Sequence, residues 1–166
     1  MSTIASALRP IASMPVHARV WVYKSARAFT PEERRTILEK GSAFTGSWAT
    51  HGTPLDASVD ILHDHFVVVA VDEQQAMASG CSIDTSVRFV QDLERDAGLR
   101  LTDRMVVLYE TADGLRSCRV PEVEALVRKG ELTADTIVFD DLVSTKADLD
   151  ARFRVRLADT WLARYL

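Results

Sequence analysis

The sequence predicts an α+β domain with a ferredoxin-like βαββαβ core, extended at its C-terminus by further strand and helix. Three observations carry that expectation. Four runs of β-branched and apolar residues lie near positions 20–23, 58–62, 66–72 and 105–109. Two helix starts, at Thr30-Pro31 and around Ser79 to Ser82, fall between the first and second runs and between the third and fourth. A chain of 166 residues, 47% hydrophobic and 27% charged, with no linker-like stretch, is about the size of one core.

The elements follow in order. Val20-Trp21-Val22-Tyr23 reads as the first strand, since β-branched and aromatic residues suit a pleated surface. Thr30-Pro31-Glu32-Glu33 then offers an N-cap hydroxyl, a proline at the first helical position and a glutamate to close a capping box. Ile37, Gly41, Phe44 and Trp48 fall on one face of that helix, and His51-Gly52-Thr53-Pro54 stops it. The run Phe66-Val67-Val68-Val69-Ala70-Val71 is continuously apolar, as a central strand covered on both faces must be. His63-Asp64-His65 joins it to the strand before it in an antiparallel hairpin, without the Asn-Gly or Asp-Gly usual for such turns. The second helix is expected to turn Ile83, Val87, Val90, Leu93 and Ala97 inward and to end at Gly98.

Beyond the fourth strand, Arg116 to Val120 is expected to pair back on it, with a short helix from Pro121 and a strand over 136–139. From Ser144 the pattern reads as helix to the chain end, with Leu149, Phe153, Leu157 and Trp161 four residues apart. Residues 1–18 carry no acidic side chain and are read as a loose arm, leaving 19–166 as the domain.

The net charge of −4 argues against a nucleic-acid partner, and no apolar run approaches the roughly 18 residues of a membrane span. Two cysteines cannot hold a metal alone, and nothing marks the chain as secreted; reduced thiols and a cytoplasmic setting follow. No metal site, phosphate-binding loop or dinucleotide fingerprint is present, and no cofactor is indicated.

The chemistry concentrates between the third strand and the second helix. Asp72 and Glu73 end the buried strand, and Ser79-Gly80-Cys81-Ser82 opens the helix. Free amides and the positive end of the helix dipole favour a thiolate at Cys81 and an anion held by Ser79, Gly80 and Ser82. His51 is the candidate base, Asp72 and Glu73 are polar support, and Trp48 is placed to border the pocket. The competing expectation is plainer: serine caps, a glycine turn and a small packing cysteine.

The strings Trp48-Ala49-Thr50-His51-Gly52, Val71-Asp72-Glu73 with Ala78-Ser79-Gly80-Cys81-Ser82-Ile83-Asp84, Asp135-Thr136-Ile137-Val138-Phe139, Leu142-Val143-Ser144-Thr145-Lys146 and Trp161-Leu162-Ala163-Arg164 together resemble a family of small uncharacterised bacterial proteins. Some members are labelled ABC transporter ATPases, a label that this chain, lacking a phosphate loop, does not support. The resemblance implies a bacterial cytoplasmic protein and brings no catalytic residues. The functional expectation is a small anionic ligand, or thiol chemistry, at the Cys81 helix start. The alternative is a non-catalytic interaction module, such as a homodimer joined through an open sheet face or edge.

Overall fold

The computed structural model describes residues 9–74 and 76–166. Strands β1 (Arg19–Lys24), β4 (Asp56–Leu62) and β5 (Phe66–Asp72) form an antiparallel sheet in the order β1–β5–β4. The period-two alternation of β5 sends Val67, Val69 and Val71 to one face and Phe66, Val68 and Ala70 to the other, all fully buried. Helices α1 (Pro31–Ser47) and α2 (Gly80–Ala97) cover the first face through Ile37, Phe89, Val90 and Leu93. Between α1 and β4 the chain makes the small hairpin β2 (Ala49–Thr50) and β3 (Thr53–Pro54).

Three of the four core strands stand in ferredoxin-like order; the fourth does not. Strand β6 (Val106–Thr111) belongs to a second sheet, β7–β6–β8–β9, with β7 (Gly114–Arg119), β8 (Ile137–Phe139) and β9 (Arg154–Arg156). Val106 and Leu108 pack against Phe66, Val68 and Ala70, while Val107 and Tyr109 join a third cluster with Val123, Leu157 and Leu162. Both faces of β5 and both faces of β6 are apolar, so each strand needs cover on two sides, and stacking supplies it where edge addition would not. Helix α3 (Val123–Arg128) covers the far side of β6 through Val123.

The edge of β1 that a fourth strand would have taken is occupied by the chain before α4 (Lys146–Arg152). Val20 N donates to Ser144 O at 3.0 Å, and Arg19 bridges Thr145. The segment from Arg9 to Ala18 is packed, in contrast to the expected loose arm; residues 1–8 lie outside the described residues. Ile11, Met14 and Ala18 are buried in the second core, and Ile11 N donates to the Asp60 carboxylate at 2.9 Å. The C-terminal stretch is also not one helix. Leu149 and Phe153 serve the second core, Leu157 the third, and Trp161 is 47% exposed. The four-residue spacing therefore spans two clusters, with β9 between them, where Arg154-Val155-Arg156 alternates as a strand does.

The capping box at α1 forms as expected, with Glu33 N on Thr30 Oγ1 at 3.1 Å and Thr30 N on Glu33 Oε1 at 2.9 Å. The Arg27 guanidinium grips the same carboxylate at 2.8 and 2.7 Å, and together with the Thr30 amide holds Glu33 at about 2, below its ordinary 4.5. As pH falls the unfolded chain takes up this proton first. Glu33 therefore contributes stability above its unfolded value that is lost as pH drops toward 2. Glu33→Gln is expected to lower the urea midpoint at about pH 6 and to lower it much less at about pH 3. Equal losses at both pH values would assign the effect to packing.

Candidate functional site

The second helix begins where the sequence places it. Ser79 is the N-cap, its Oγ accepting from Ser82 N at 3.2 Å, and the Ser82 hydroxyl returns to Ser79 O at 2.9 Å. The buried Trp48 indole donates to Ser82 O at 2.8 Å, clamping the β2 approach onto the first turn of α2. These bonds fix which face turns inward. Ser82 and Ser86 are buried in place of the expected Ile83 and Val87, and Val87 is 38% exposed. Each buried serine bonds a carbonyl of its own helix, so its hydroxyl is satisfied in the interior.

Cys81, one position round the turn, is exposed. The structure thus gathers Trp48, Ser79, Gly80, Cys81 and Ser82 at one helix start, with the two serine hydroxyls engaged by each other and by the cap. His51 is not gathered with them in any bonded sense. It stands at the exposed tip of the β2–β3 hairpin with φ 48°, and its imidazole has no hydrogen bond or ion pair among the described residues. Beside it Thr50 Oγ1 is buried without a hydrogen-bond partner.

Asp72 and Glu73 diverge, as neighbours on an extended chain do. Asp72 accepts from His17 Nε2 at 2.9 Å and from Gln74 N at 3.1 Å, which hold its carboxyl below the usual range. Glu73 accepts from Ala78 N at 3.0 Å and lies 3.6 Å from Arg19, tying the loop before α2 to β1. Both carboxylates act as loop fasteners.

The two thiols differ sharply. Burial pushes the Cys118 thiol up to about 11. Native protein is therefore expected to take one equivalent of iodoacetamide, at Cys81, and a second only in denaturant. Mass spectrometry of the alkylated peptides reads this directly; native labelling at Cys118 would show that the third core opens.

A different region carries features that the sequence reading passed over. A cavity of about 340 Å³ lies between α4, the β4–β5 turn and the N-terminal segment. Ile11, Leu62, Leu149 and Phe153 give it apolar walls, and His63, Lys146, Asp150 and Arg154 also line it. Two of these residues break local rules. Lys146 is 7% exposed although it opens a helix, where burial and the positive dipole end both disfavour a cation. Its Nζ donates to Asp150 Oδ2 at 2.6 Å. His63 and the following Asp64 both hold left-handed backbone, φ 52° and 57°, and His65 N closes the turn on Leu62 O at 3.2 Å. The His63 ring lies 5.0 Å from Phe139 and 6.2 Å from Phe153, and burial there pushes its pKa down.

Arg154 is held by Glu110 at 2.5 and 2.6 Å, which fixes the cavity's far wall. One signal in the sequence pointed here: Lys146 directly follows Thr145, which caps α4 by accepting from Asp148 N at 3.1 Å. A cap followed by lysine is the reverse of the usual charge order. His63-Asp64-His65 is a turn with two left-handed residues, and among the described residues no group of three His, Cys, Asp or Glu could hold an ion. Also among them, no helix is long and apolar enough to cross a membrane. Comparison with family models, curated proteins and solved structures finds no match to this chain.

Proposed function

We propose that this protein binds a small molecule in the cavity between α4 and the β4–β5 turn, in place of the Cys81 helix start that the sequence favoured. The observation that supports this reading is the convergence of a buried lysine and a left-handed histidine on one mostly apolar cavity. Buried charge and backbone strain each cost free energy, and they concentrate where function retains them. An apolar concavity with a few convergent polar groups is the usual form of a ligand site.

The test is ligand-dependent melting. A panel of small amphipathic anions is expected to contain compounds that raise Tm for the native chain, because a ligand binding only the folded state stabilises it by mass action. Ala151→Trp, which places an indole at the cavity lining, is expected to abolish the shift. A panel that leaves Tm unmoved, or a shift that survives in Ala151→Trp, overturns the assignment.

A second reading keeps Cys81 as a thiol-dependent site. It is favoured by one observation: the thiol is exposed on the first turn of an 18-residue helix with no acidic residue in that turn. Alkylation of the Cys118→Ser variant across pH tests it, since an activated thiol reacts well below the unperturbed ~8.5 and an ordinary one does not. Two unpaired cysteines support a reducing, cytoplasmic setting. The homodimer alternative is tested by size-exclusion chromatography with light scattering; in the first sheet Val20 N donates to Ser144 O, and the β4 side chains Ser58 and Asp60 bond Arg9 O and Ile11 N.

A further inference from the structure

Lys146 has an unequal partner. Its side chain is 8% exposed, whereas that of Asp150 is 52% exposed, so the pair runs from the interior of the cavity wall out to the surface. An ammonium carries three donors, and among the described residues Asp150 takes one of them. Its other two donors make no bond to the described residues, and the residue lines the cavity with Ile11, Leu62, Leu149 and Phe153. Glu110 holds the other cation of the lining, Arg154, through both Nε and Nη2 and is itself only 29% exposed, so that charge is balanced more fully than that of Lys146. Lys146 is therefore the less fully balanced cation of a mostly apolar lining, its one partner being half-exposed to solvent. The complementary ligand carries a single negative charge and an apolar body; a dianion would lack a second free cation, and an amine would meet Lys146 as a like charge.

We infer that the cavity takes a monocarboxylate with a short apolar chain, its carboxylate accepting from Lys146 and its chain lying on the apolar walls. This inference rests on the binding reading above. At about 340 Å³ the cavity sits near the lower end of small-molecule sites, which run from roughly 300 to 1,000 Å³, so the chain is short. Charge-assisted hydrogen bonds of this kind are worth about 1.5–3 kcal/mol, which corresponds to at least about tenfold in affinity between acid and neutral analogue. Asp150 also lines the cavity, where its negative charge repels a carboxylate, so removing that charge favours the ligand.

The experiment is a ¹H–¹⁵N NMR titration of the full chain with hexanoate, hexan-1-ol and hexylamine, three probes sharing one chain length. Hexanoate is expected to shift amides of α4 and of the 62–65 turn saturably, with hexan-1-ol at least about tenfold weaker and hexylamine weaker still. Lys146→Met is expected to bring hexanoate down to the level of hexan-1-ol. Because that variant alters a buried site, Asp150→Asn provides the second arm: its change is at a half-exposed position, and it is expected to tighten hexanoate binding severalfold. Hexan-1-ol binding as tightly as hexanoate, with both mapping to the cavity, overturns the carboxylate and leaves the binding reading standing. Unchanged or weaker hexanoate binding in Asp150→Asn overturns the role of Lys146 in the same way. If none of the three probes moves the cavity amides at millimolar concentration, the binding reading falls with it.

Discussion

Phe66→Ala is expected to destabilise the fold by about 3–5 kcal/mol, read as a lowered urea midpoint with an unchanged slope. Phe66 is fully buried at the first position of β5, paired to Lys24 on one side and Leu62 on the other. Its ring centre lies 4.9 Å from Phe153, 5.1 Å from Phe139 and 6.3 Å from His63. Truncation removes the transfer free energy of the ring and leaves a void that two sheets and α4 all border, so the site collapses poorly. The lost ring pairs, worth about 0.5–1.5 kcal/mol each, add to this. Phe66→Leu keeps most of the volume and is expected to lose less than half as much. A loss below about 1 kcal/mol for the alanine variant would mean that Phe139 and Phe153 repack into the space.

Gly41→Ala and Gly46→Ala are expected to change stability in opposite directions, although both lie in α1. A Cβ at position 41 would sit 2.8 Å from Val59 Cγ1 and 2.9 Å from Val59 Cβ, whereas one at position 46 meets nothing within 4 Å. Exchanging glycine for alanine in a helix interior gains about 1 kcal/mol, and Gly46→Ala should realise it. At position 41 the helix must lift from β4, and overpacking of this kind costs about 1–3 kcal/mol beyond the propensity gain. Val59→Ala is not expected to rescue Gly41→Ala, because alanine keeps the Cβ that makes the second short contact. Thermal melts of the single and double variants decide it. Equal stabilisation at both glycines would show that α1 and β4 approach less closely than described.

The sequence made some of this legible and concealed the rest for definite reasons. Local signals carried through: the Thr30 cap with Glu33, the continuously apolar β5, the Ser79 cap and the Gly98 stop each arise from interactions within a few residues. The β4–β5 hairpin was legible from its spacing even though His63 and Asp64 take the φ values that glycine or asparagine would normally supply. Long-range partners did not carry through. Nothing local tells β6 to stack over β5 and not beside β1, because apolar alternation is the same in either arrangement. The stripe from Leu149 to Trp161 misled for a related reason: four-residue spacing arose from two clusters meeting, and the charged-apolar-charged pattern of β9 was the better guide. At the candidate site, Cys81 announced itself by residue type. Lys146 did not: the Thr145 cap is its one local signal, and Ile11 and Leu62, which share its cavity wall, lie far away in the sequence.

The joining of segment 16–20 to segment 144–147 has a consequence for the protein's synthesis. Lys146 N donates to Ala18 O at 2.8 Å, Ala147 N to Val16 O at 2.9 Å, and Val20 N to Ser144 O at 3.0 Å. The first strand of the central sheet therefore gains its outer cover only when residues 143–147 have left the ribosome. Until then, Phe66, Val68 and Ala70 lack the part of their cover that Val143, Leu149 and Phe153 supply. Contacts of such sequence separation form slowly, and a chain stalled short of them presents apolar sheet to its surroundings. The second core is thus expected to close only after residue 153 has emerged, and fragments ending before about residue 143 are expected to be the species that chaperones bind.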